Sequence, residues 1–224
     1  MKELTKWHLK SIFSFTLVNV NMYPDIGTFS DVLMEKGIKI SRLEVEEIAE
    51  LIKFHDTHCL DWGYLFGIED VKKRLRDRHR CYIARENGEI FAFLWVGFNK
   101  IYSDYLQCAF ELDKSSVASY NNFVKHDCRG KNILPVMKRT VFSELRSNGF
   151  RRCYDWVNVK NKSAVNSNAK FNTTVVGKII NGYFLGCYFL IPLIKKDVGI
   201  KVCEIGDPFR RWKTLFRRLA MRLG

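Results

Sequence analysis

A basic loop in front of a helix is the part of this sequence most suited to chemistry. Arg129, Gly130, Lys131 and Asn132 stand directly before a run with helical periodicity. The first N–H groups of a helix have no partner within it, so they point outward and attract an anion together with the helix dipole. Gly130 and Asn132 are residue types that readily take φ > 0, which lets a turn curve around a phosphate. The loop therefore predicts a pyrophosphate site, with a solvated basic helix cap as the alternative.

The elements on either side of this loop have clear patterns. A strand is predicted over 116–124, and a helix of about fifteen residues follows the loop. Its apolar stripe is formed by Leu134, Met137, Val141 and Leu145, with Pro135 in the first turn. Asn148-Gly149 ends the helix, and a second strand is predicted over 152–159. A strand–helix–strand unit of this kind predicts parallel strands.

Upstream, the pattern indicates helices and then a hairpin. Ser41 and Glu44 have the spacing of a capping box, so we predict a helix that begins at Ser41, and a second helix over 68–79. Two strand-like runs, 81–85 and 89–98, are joined through Asn87-Gly88, which is typical of a β-hairpin. Further predictions are a first strand over 11–20, a loop with a short helix over 23–37, a loop over 63–67 and a buried strand pair over 183–194.

The loop resembles the acyl-CoA-binding motif of the GNAT superfamily of N-acetyltransferases, Arg/Gln-x-x-Gly-x-Gly/Ala. Here the motif runs from Arg129 to Leu134, with Asn132 in place of the second glycine and Leu134 in place of the last small residue. Leu134 crowds the place where phosphate normally approaches the backbone. The run from Cys81 through Lys170 resembles bacterial members of the superfamily that are encoded with surface-polysaccharide pathways.

A second block of the same superfamily follows the second strand. Asn161, Ala164, Val165 and Lys170 match its pattern. Asn168 stands where many members have the tyrosine that protonates the leaving thiolate, and Asn172-Thr173 replaces a Gly-Phe pair. The resemblance extends over roughly residues 43 to 190. It implies an α/β fold with a central mixed sheet, two parallel strands that splay apart, and helices on both faces.

The resemblance also implies a reaction and a set of residues. A neutral amine attacks the thioester of acetyl-CoA or another acyl-CoA, and the Val124 N–H polarises the thioester carbonyl unless it is an ordinary ladder residue. The catalytic candidates are Tyr120, Asn122, Val124 and Asn168, with Tyr120 as a substitute for the missing tyrosine acid. Candidates for the general base are Glu111, Asp155 and His126. The donor-binding candidates are Phe123, Val124, Arg129, Gly130, Lys131, Asn132, Ile133, Leu134, Asn161, Ala164 and Lys170.

Composition restricts the partners and the location. The net charge is +13 over 224 residues, which favours an acidic partner such as CoA, a nucleotide sugar, an acyl carrier protein or an anionic membrane. Seven cysteines without a CxxC pair predict reduced thiols in a cytoplasmic protein. The apolar run over 11–20 is interrupted by polar residues and lacks a signal-peptide cleavage site, and the run over 183–194 is too short to span a bilayer.

Two further segments contain residues that could bind a metal ion or a membrane. His55 and His58 have a zinc-compatible spacing, but no further ligands are near in sequence, and we predict no metal. The tail from 206 to 224 predicts a basic amphipathic helix outside a single domain of residues 1–205. This helix either packs on the domain or adsorbs to the inner face of an anionic membrane. No nucleic-acid motif accompanies the charge.

These observations predict an acyltransferase that moves an acetyl or other acyl group from CoA to a primary amine, with an amino-sugar nucleotide as one acceptor. One alternative is an N-acyltransferase that takes its acyl group from an acyl carrier protein, because the positive charge attracts an acidic carrier. Another is a non-catalytic binding module with the same fold, which the substitutions at Asn132 and Asn168 keep open.

Overall fold

A large mixed sheet and the helices on its two faces form the fold. The computed structural model describes residues 13–24, 26, 37–59, 66–184 and 187–206. The strands in chain order are β1 (Phe13–Tyr23), β2 (Ile38–Arg42), β3 (Arg80–Glu86), β4 (Glu89–Phe98), β5 (Lys100–Ser103), β6 (Cys108–Leu112), β7 (Ser116–Val124), β8 (Arg152–Asn158), β9 (Thr174–Phe184), β10 (Cys187–Ile194) and β11 (Ile200–Ile205). The α-helices are α1 (Ile48–His58), α2 (Ile68–Arg76), α3 (Ile133–Ser147) and α4 (Lys162–Ala169).

The strand order in the large sheet is β10-β9-β1-β8-β7-β4-β3-β2, and β11-β6-β5 form a smaller sheet. The only parallel pair among the described strands is β7 with β8, as the strand–helix–strand pattern predicts. The hairpin of β3 and β4 turns at Asn87-Gly88, where both residues have positive φ (51° and 87°). Positive φ at both positions is typical of the tight turn that this dipeptide favours.

The sheet is buried on both faces by separate hydrophobic clusters. Along β4, Phe93 and Trp95 belong to one cluster, and Leu94 and Val96 belong to the other. This division follows from the alternation of side chains along a strand. Residues of α1 and α2 belong to the first cluster, and the apolar stripe of α3 belongs to the second. A strand with both faces covered explains the nearly continuous apolar run of β4.

The predicted helix start at Ser41 is wrong. Ser41 lies in β2, which pairs antiparallel with β3, and α1 begins only at Ile48 after a short 3₁₀ turn. The reciprocal cap is formed by Glu44 and Glu47 instead, with the Glu44 N–H 2.8 Å from the Glu47 carboxylate. Local capping propensity was outweighed here by the backbone hydrogen bonds that β2 gains along the edge of β3.

Several other boundaries also differ from the predictions. The second predicted helix ends at Arg76, ahead of His79. The predicted buried pair over 183–194 consists of the end of β9 and the whole of β10, which pair antiparallel, and its Ile191 and Leu193 are 48% and 55% exposed. The small sheet of β5, β6 and β11 was not predicted, because its strands are short and pair with a distant segment. The predicted first strand is present, but it pairs between β8 and β9.

Parts of the sequence-based predictions lie outside the described residues. These are the tail helix beyond residue 206, most of the loop over 63–67 and most of the segment 23–37. No helix in the described ranges is both long and apolar enough to cross a bilayer. All seven cysteines are free, and Cys59, Cys81, Cys108 and Cys153 are buried. Burial raises the pKa of the Cys59 and Cys108 thiols to about 12, so both are thiols at neutral pH.

Candidate functional site

The basic loop in front of α3 has the backbone geometry that the sequence predicts. Gly130 and Asn132 have φ values of 82° and 58°. In the described part of the chain, no group accepts a hydrogen bond from the backbone N–H groups of residues 130–134, and the first bond of the helix runs from Val136 to Asn132. The Lys170 ammonium donates to the Asn132 side chain (2.6 Å), which ties the second sequence block to the loop. This row of unpartnered N–H groups beside exposed lysines can receive an anion.

The strand before the loop separates from its parallel neighbour. β7 and β8 are paired only from Ser116–Arg152 to Ala118–Tyr154. Beyond Ala118 and Tyr154 the two strands diverge, and a gap lies between their second halves. Divergence of two parallel strands leaves backbone groups that no protein strand satisfies.

Val124 presents its backbone to this gap. The Lys125 N–H donates to the Phe91 carbonyl (2.8 Å), and Ala92 stands opposite Val124 in the register. Antiparallel partners alternate between bonded and non-bonded pairs, so the N–H and C=O of Val124 turn away from β4. The carbonyl accepts a hydrogen bond from Arg129 Nε (3.0 Å). The N–H therefore faces the side on which β8 has diverged.

A β-bulge interrupts β7 just before this point. Phe123 stands opposite Phe93, but Tyr120 stands opposite Trp95, so Asn121 and Asn122 together face one residue of β4. Asn121 has φ 45°, which is the left-handed region. With its amide oxygen turned toward Arg74, Asn121 accepts hydrogen bonds from both terminal nitrogens of that side chain (3.1 and 3.2 Å).

In a regular strand Tyr120, Asn122 and Val124 would lie on one face of the sheet, and the bulge changes this arrangement. Tyr120 and Phe123 both belong to the cluster under α1 and α2, whereas Val124 packs on the other cluster. Tyr120 and Val124 therefore lie on opposite faces of the sheet. Side chains alternate between the two faces along a strand, so one extra residue moves every following side chain to the opposite face.

The gap between the strands is the floor of a cleft of about 600 Å³. Of the candidates named from the sequence, Tyr120, Asn122, Leu134, Asn161, Ala164 and Asn168 all line this cleft. Asn161 also caps α4, since its side-chain oxygen accepts from the Ala164 N–H (3.1 Å). Two blocks that are distant in sequence thus form the walls of one groove, which ends near the basic loop at Leu134. The other predicted donor-binding residues do not line the cleft: Phe123, Val124, Arg129, Gly130, Lys131, Asn132, Ile133 and Lys170. Phe123 and Ile133 are buried.

Asn168 belongs to a buried polar network at the bottom of the cleft. Its amide nitrogen donates to both oxygens of Asp155 (2.9 and 2.8 Å), and its oxygen accepts from Lys138 (3.1 Å). The Asn168 oxygen also lies 2.7 Å from the Tyr23 hydroxyl, which has a single proton to share between Asn168 and Asp155 (2.6 Å). Lys138 is 1% exposed and also pairs with Asp155 (3.1 Å). Burial, followed by the Asp155 charge, raises the pKa of Tyr23 well above its ordinary value. The network is fully bonded, so it holds α3, α4, β1 and β8 together.

A second cleft, of about 650 Å³, lies on the other side of Tyr120. Its wall carries the carboxylates Asp70, Asp77, Asp104 and Glu204 and the cations Lys73, Arg74 and Lys100. Lys73 pairs with Asp77 (2.5 Å) and Lys100 pairs with Glu204. Asp104 and Tyr120 line both clefts. The two clefts therefore meet at these side chains.

His79 lines the second cleft and bonds to Tyr120. Its Nδ1 lies 2.5 Å from the Tyr120 hydroxyl, and the ring is 8% exposed. Burial lowers the pKa of His79 below its ordinary value, against an opposing hydrogen bond with the backbone of Lys100. In the neutral tautomer that carries its proton on Nε2, Nδ1 is the acceptor and the Tyr120 hydroxyl donates to it.

The predicted base candidates lie in different surroundings. Glu111 is exposed and pairs with Lys201 (3.1 Å), and His126 is exposed beside Arg129 (3.2 Å). Neither residue lines either cleft. Asp155 lines the first cleft but accepts hydrogen bonds from Asn21, Tyr23, Lys138 and Asn168. Its carboxylate is therefore held as part of the network.

His55 and His58 lie in different surroundings. His55 is fully buried and its ring lies 4.0 Å from that of Phe66, whereas His58 is exposed. Across the ranges that the structure describes, no three His, Cys, Asp or Glu side chains form a group that could hold a metal ion.

Sequence reasoning missed His79, Lys138 and the second cleft. His79 follows the last turn of α2 among several basic residues, and nothing in its local pattern distinguishes it. Lys138 interrupts the apolar stripe of α3 at an inward position, between Met137 and Val141. A lysine at such a position is the one local feature that pointed to a buried partner.

No family model matches the chain, and no curated protein matches it in sequence. Its fold is similar to that of the GCN5-related glucosamine N-acetyltransferase region of a fungal multi-domain GH3 β-N-acetylglucosaminidase (TM-score 0.52, 14% identity, 91% of this chain and 22% of that chain). A second similar structure is a Drosophila protein (TM-score 0.54, 12% identity, 86% of this chain and 56% of that chain). A third, from Novosphingobium aromaticivorans, is described as a GNAT-family acetyltransferase (TM-score 0.52, 11% identity, 75% of this chain and 63% of that chain).

This chain thus spans less than two thirds of the length of each of these proteins. The similarity confirms the predicted fold class, a GNAT-like mixed sheet with helices on both faces. At these identities it concerns the fold alone.

Proposed function

We propose that this protein is an N-acyltransferase that moves an acetyl or other acyl group from acyl-CoA to a primary amine. The observation that carries the proposal is the first cleft, which runs between the diverging strands β7 and β8 and is lined by Leu134 near the unpartnered N–H groups of residues 130–134. A narrow groove with an anion-binding end and backbone donors along one edge suits a pantetheine arm with its pyrophosphate.

Each part of the donor has a counterpart in this proposal. The pyrophosphate lies on the loop N–H groups of Gly130, Lys131 and Asn132, with Arg129 and Lys170 beside it. The pantetheine arm follows β7 past Asn161 and Ala164. The Val124 N–H, turned away from β4, polarises the thioester carbonyl as an oxyanion donor does. Asn122 and Asn168 line the cleft near its reacting end, and Asn168 acts through the network that fixes α4.

The acceptor enters through the second cleft in this proposal. Four carboxylates on its wall favour a cationic amine. The same wall carries Lys73, Arg74 and Lys100, whose positive charges favour an acceptor that also carries phosphate. An amino-sugar nucleotide has both features and remains the acceptor that we favour. A glucosamine N-acetyltransferase region is among the proteins of similar fold, which is consistent with an amino sugar.

The proposal is tested by calorimetric titration of the purified protein with acetyl-CoA, CoA and a long-chain acyl-CoA. Micromolar binding of acetyl-CoA is expected, and Arg129→Glu should weaken it at least tenfold because a negative charge then faces the pyrophosphate. Lys114→Glu, an exposed reversal in the turn before β7, is the matched control and should leave binding unchanged. Absence of binding by the unmodified protein to all three compounds would contradict a CoA donor.

An acyl carrier protein is the second candidate donor, and the net charge of +13 favours it. Leu134, which narrows the groove near the loop, would matter less for a carrier-bound arm that lacks the adenosine diphosphate. Binding to an acylated carrier protein without binding to acyl-CoA would select this alternative.

We also propose a cytoplasmic location, with contact between the tail beyond residue 206 and an anionic membrane. Co-sedimentation with anionic vesicles, with and without residues 208–224, tests that contact.

A further inference from the structure

The two clefts meet at the side chains of Tyr120 and Asp104. The Tyr120 oxygen lies 2.5 Å from Nδ1 of His79, which lines the second cleft. In the proposed function the acyl donor and the amine lie on opposite sides of the Tyr120 side chain. A group in this position can exchange protons with both reactants, provided that a second group stores the proton between the two steps.

We propose that Tyr120 and His79 form the proton relay of the acyl transfer. This inference rests on the proposed function and adds a residue to it that no sequence pattern indicated. Tyr120 is the catalytic residue, and His79 acts through it as a positioning and proton-storing residue.

Several contacts hold the pair in one arrangement. The two rings are perpendicular, with centroids 5.7 Å apart. The Arg74 guanidinium lies 5.3 Å from the Tyr120 ring centroid, and it also holds the bulge at Asn121. A Cβ at Gly97 would lie 3.1 Å from Tyr120 Cε1 and 2.5 Å from Ile101, so glycine is required for the ring to sit where it does. Such packing keeps the hydroxyl directed at Nδ1.

The chemical step balances without any further reactant. The acceptor reacts as the neutral amine: its nitrogen forms a bond with the thioester carbon and gives up one proton, which His79 Nδ1 receives through the Tyr120 hydroxyl. When the C–S bond breaks, the same hydroxyl gives a proton to the thiolate sulfur and regains one from His79. One proton has then moved from nitrogen to sulfur, and both residues are unchanged. The missing tyrosine on α4, where Asn168 stands, is thereby replaced.

The electrostatic surroundings suit this role. Burial lowers the pKa of His79, so the imidazole is neutral at neutral pH and can accept a proton. Lys73 and Arg74 of α2 favour the neutral form, whereas Asp77 and the Lys100 backbone favour the charged form. Asp70, Asp104 and Glu204 line the same cleft and also favour the charged form through their negative charges.

Kinetics with acetyl-CoA and hydroxylamine test the relay. Hydroxylamine is small and largely uncharged at neutral pH, and release of CoA is followed with a thiol reagent after subtraction of the uncatalysed reaction. Tyr120→Phe should lower kcat by about 100-fold or more, with the Kd for acetyl-CoA within twofold of the unmodified protein. Tyr154→Phe, which also removes a buried hydroxyl but lies in neither cleft, should retain kcat. Retention of kcat in Tyr120→Phe overturns the relay.

The pH profile separates a relay from a merely structural pair. The unmodified protein should lose kcat as the pH falls below the ordinary histidine range, since protonated His79 cannot accept. His79→Asn keeps a group able to accept the Tyr120 hydrogen bond, so it should lower kcat and remove this acid limb. His58→Asn, on the exposed side of α1, should keep it. An unchanged acid limb in His79→Asn contradicts the storing role.

A measurement without turnover distinguishes this inference from the proposed function. If the unmodified protein binds no acyl donor and releases no CoA, the proposed function fails. Nitrogen NMR of the labelled histidines is then still informative about the pair. We expect His79 to be neutral at pH 7, with its proton on Nε2, and to respond to Tyr120→Phe. A proton on Nδ1 or a charged ring at pH 7 overturns the relay whatever the activity.

Discussion

At the scale of single residues, buried polar groups that are fully hydrogen-bonded hold the elements of the candidate site together. One such network consists of Lys138, Asp155, Tyr23 and Asn168, and each of these residues is 4% exposed or less. A charge in such a place persists only with good partners, because the desolvation of an unpaired ion is expensive. Asn168 suits this network because its amide can both accept from Lys138 and donate to Asp155.

Lys138→Met should destabilise the protein by about 3–5 kcal/mol, because it leaves the Asp155 carboxylate buried without its cation. Denaturant unfolding measures the effect. Lys114→Met, at an exposed position, should change stability by no more than about 0.5 kcal/mol. The double variant Lys138→Met/Asp155→Asn should recover part of the loss. A loss in Lys138→Met no larger than in Lys114→Met would contradict the importance of this pair.

His79 predicts an acid dependence of stability as well as of rate. Its pKa is lower in the folded protein than in the unfolded chain, so between the two values the unfolded chain binds more protons. The stability contribution is therefore present above the ordinary histidine pKa and is lost as the pH falls through the folded value. Unfolding free energies measured from pH 7 down to pH 5 should decrease less in His79→Asn than in the unmodified protein. Equal slopes would argue against a depressed pKa.

At the scale of secondary structure elements, the bulge in β7 decides which side chains meet. It places Tyr120 against His79 and, four residues after Tyr120, turns the Val124 backbone toward the gap. Both consequences need the left-handed conformation of Asn121, which is accessible to asparagine and glycine but strained for a β-branched residue.

Asn121→Val should lower stability by about 1–3 kcal/mol through backbone strain and should also lower kcat, because the bulge shifts. Asn121→Gly is the matched variant. It loses the same bonds to Arg74 but keeps the favoured φ, so it should be the more stable of the two. Thermal unfolding and the CoA-release assay give both quantities. Equal stability of the valine and glycine variants would show that the conformation at residue 121 is not strained.

The insertion of β1 between β8 and β9 is a second element-scale feature with a specific steric basis. A Cβ at Gly182 would lie 1.8 Å from the Ser14 carbonyl oxygen, so the two strands approach closely only because residue 182 is glycine. Gly182→Ala should therefore destabilise the protein markedly. Gly67→Ala, where the nearest atom is 3.9 Å away, should change stability by about 1 kcal/mol or less. Similar unfolding midpoints for the two variants would contradict this packing.

At the scale of the whole molecule, a net charge of +13 acts on any phosphate-bearing partner. Raising NaCl from about 0.1 M to about 1 M shortens the Debye length from about 10 Å to about 3 Å. The affinity for acetyl-CoA should fall several-fold over this range. Acetyl-pantetheine lacks the adenosine phosphates, and its weaker binding should change little with salt. Calorimetry compares the two, and equal salt dependence would place the phosphates away from the basic loop.

The sequence by itself determined the strand–loop–helix–strand unit almost residue by residue. β7 and α3 have the predicted extents, and Gly130 and Asn132 have the predicted positive φ. These features are local: helix periodicity, a glycine stop and the conformational preferences of individual residues act within a few positions. The parallel pairing followed as well, because a strand–helix–strand connection leaves few alternatives.

Only the tertiary structure decided the rest of the candidate site. The bulge at Asn121 is held by β4 and by Arg74. No local sequence preference predicted that this bulge would place the side chains of Tyr120 and Val124 on opposite faces of the sheet. Lys138 contacts Asp155, which lies 17 residues away in the sequence, and His79 contacts Tyr120, which lies 41 residues away. The edge pairing that made Ser41 part of a strand is equally non-local. Contacts of this kind depend on which surfaces face each other after folding, and a sequence pattern records only neighbours along the chain.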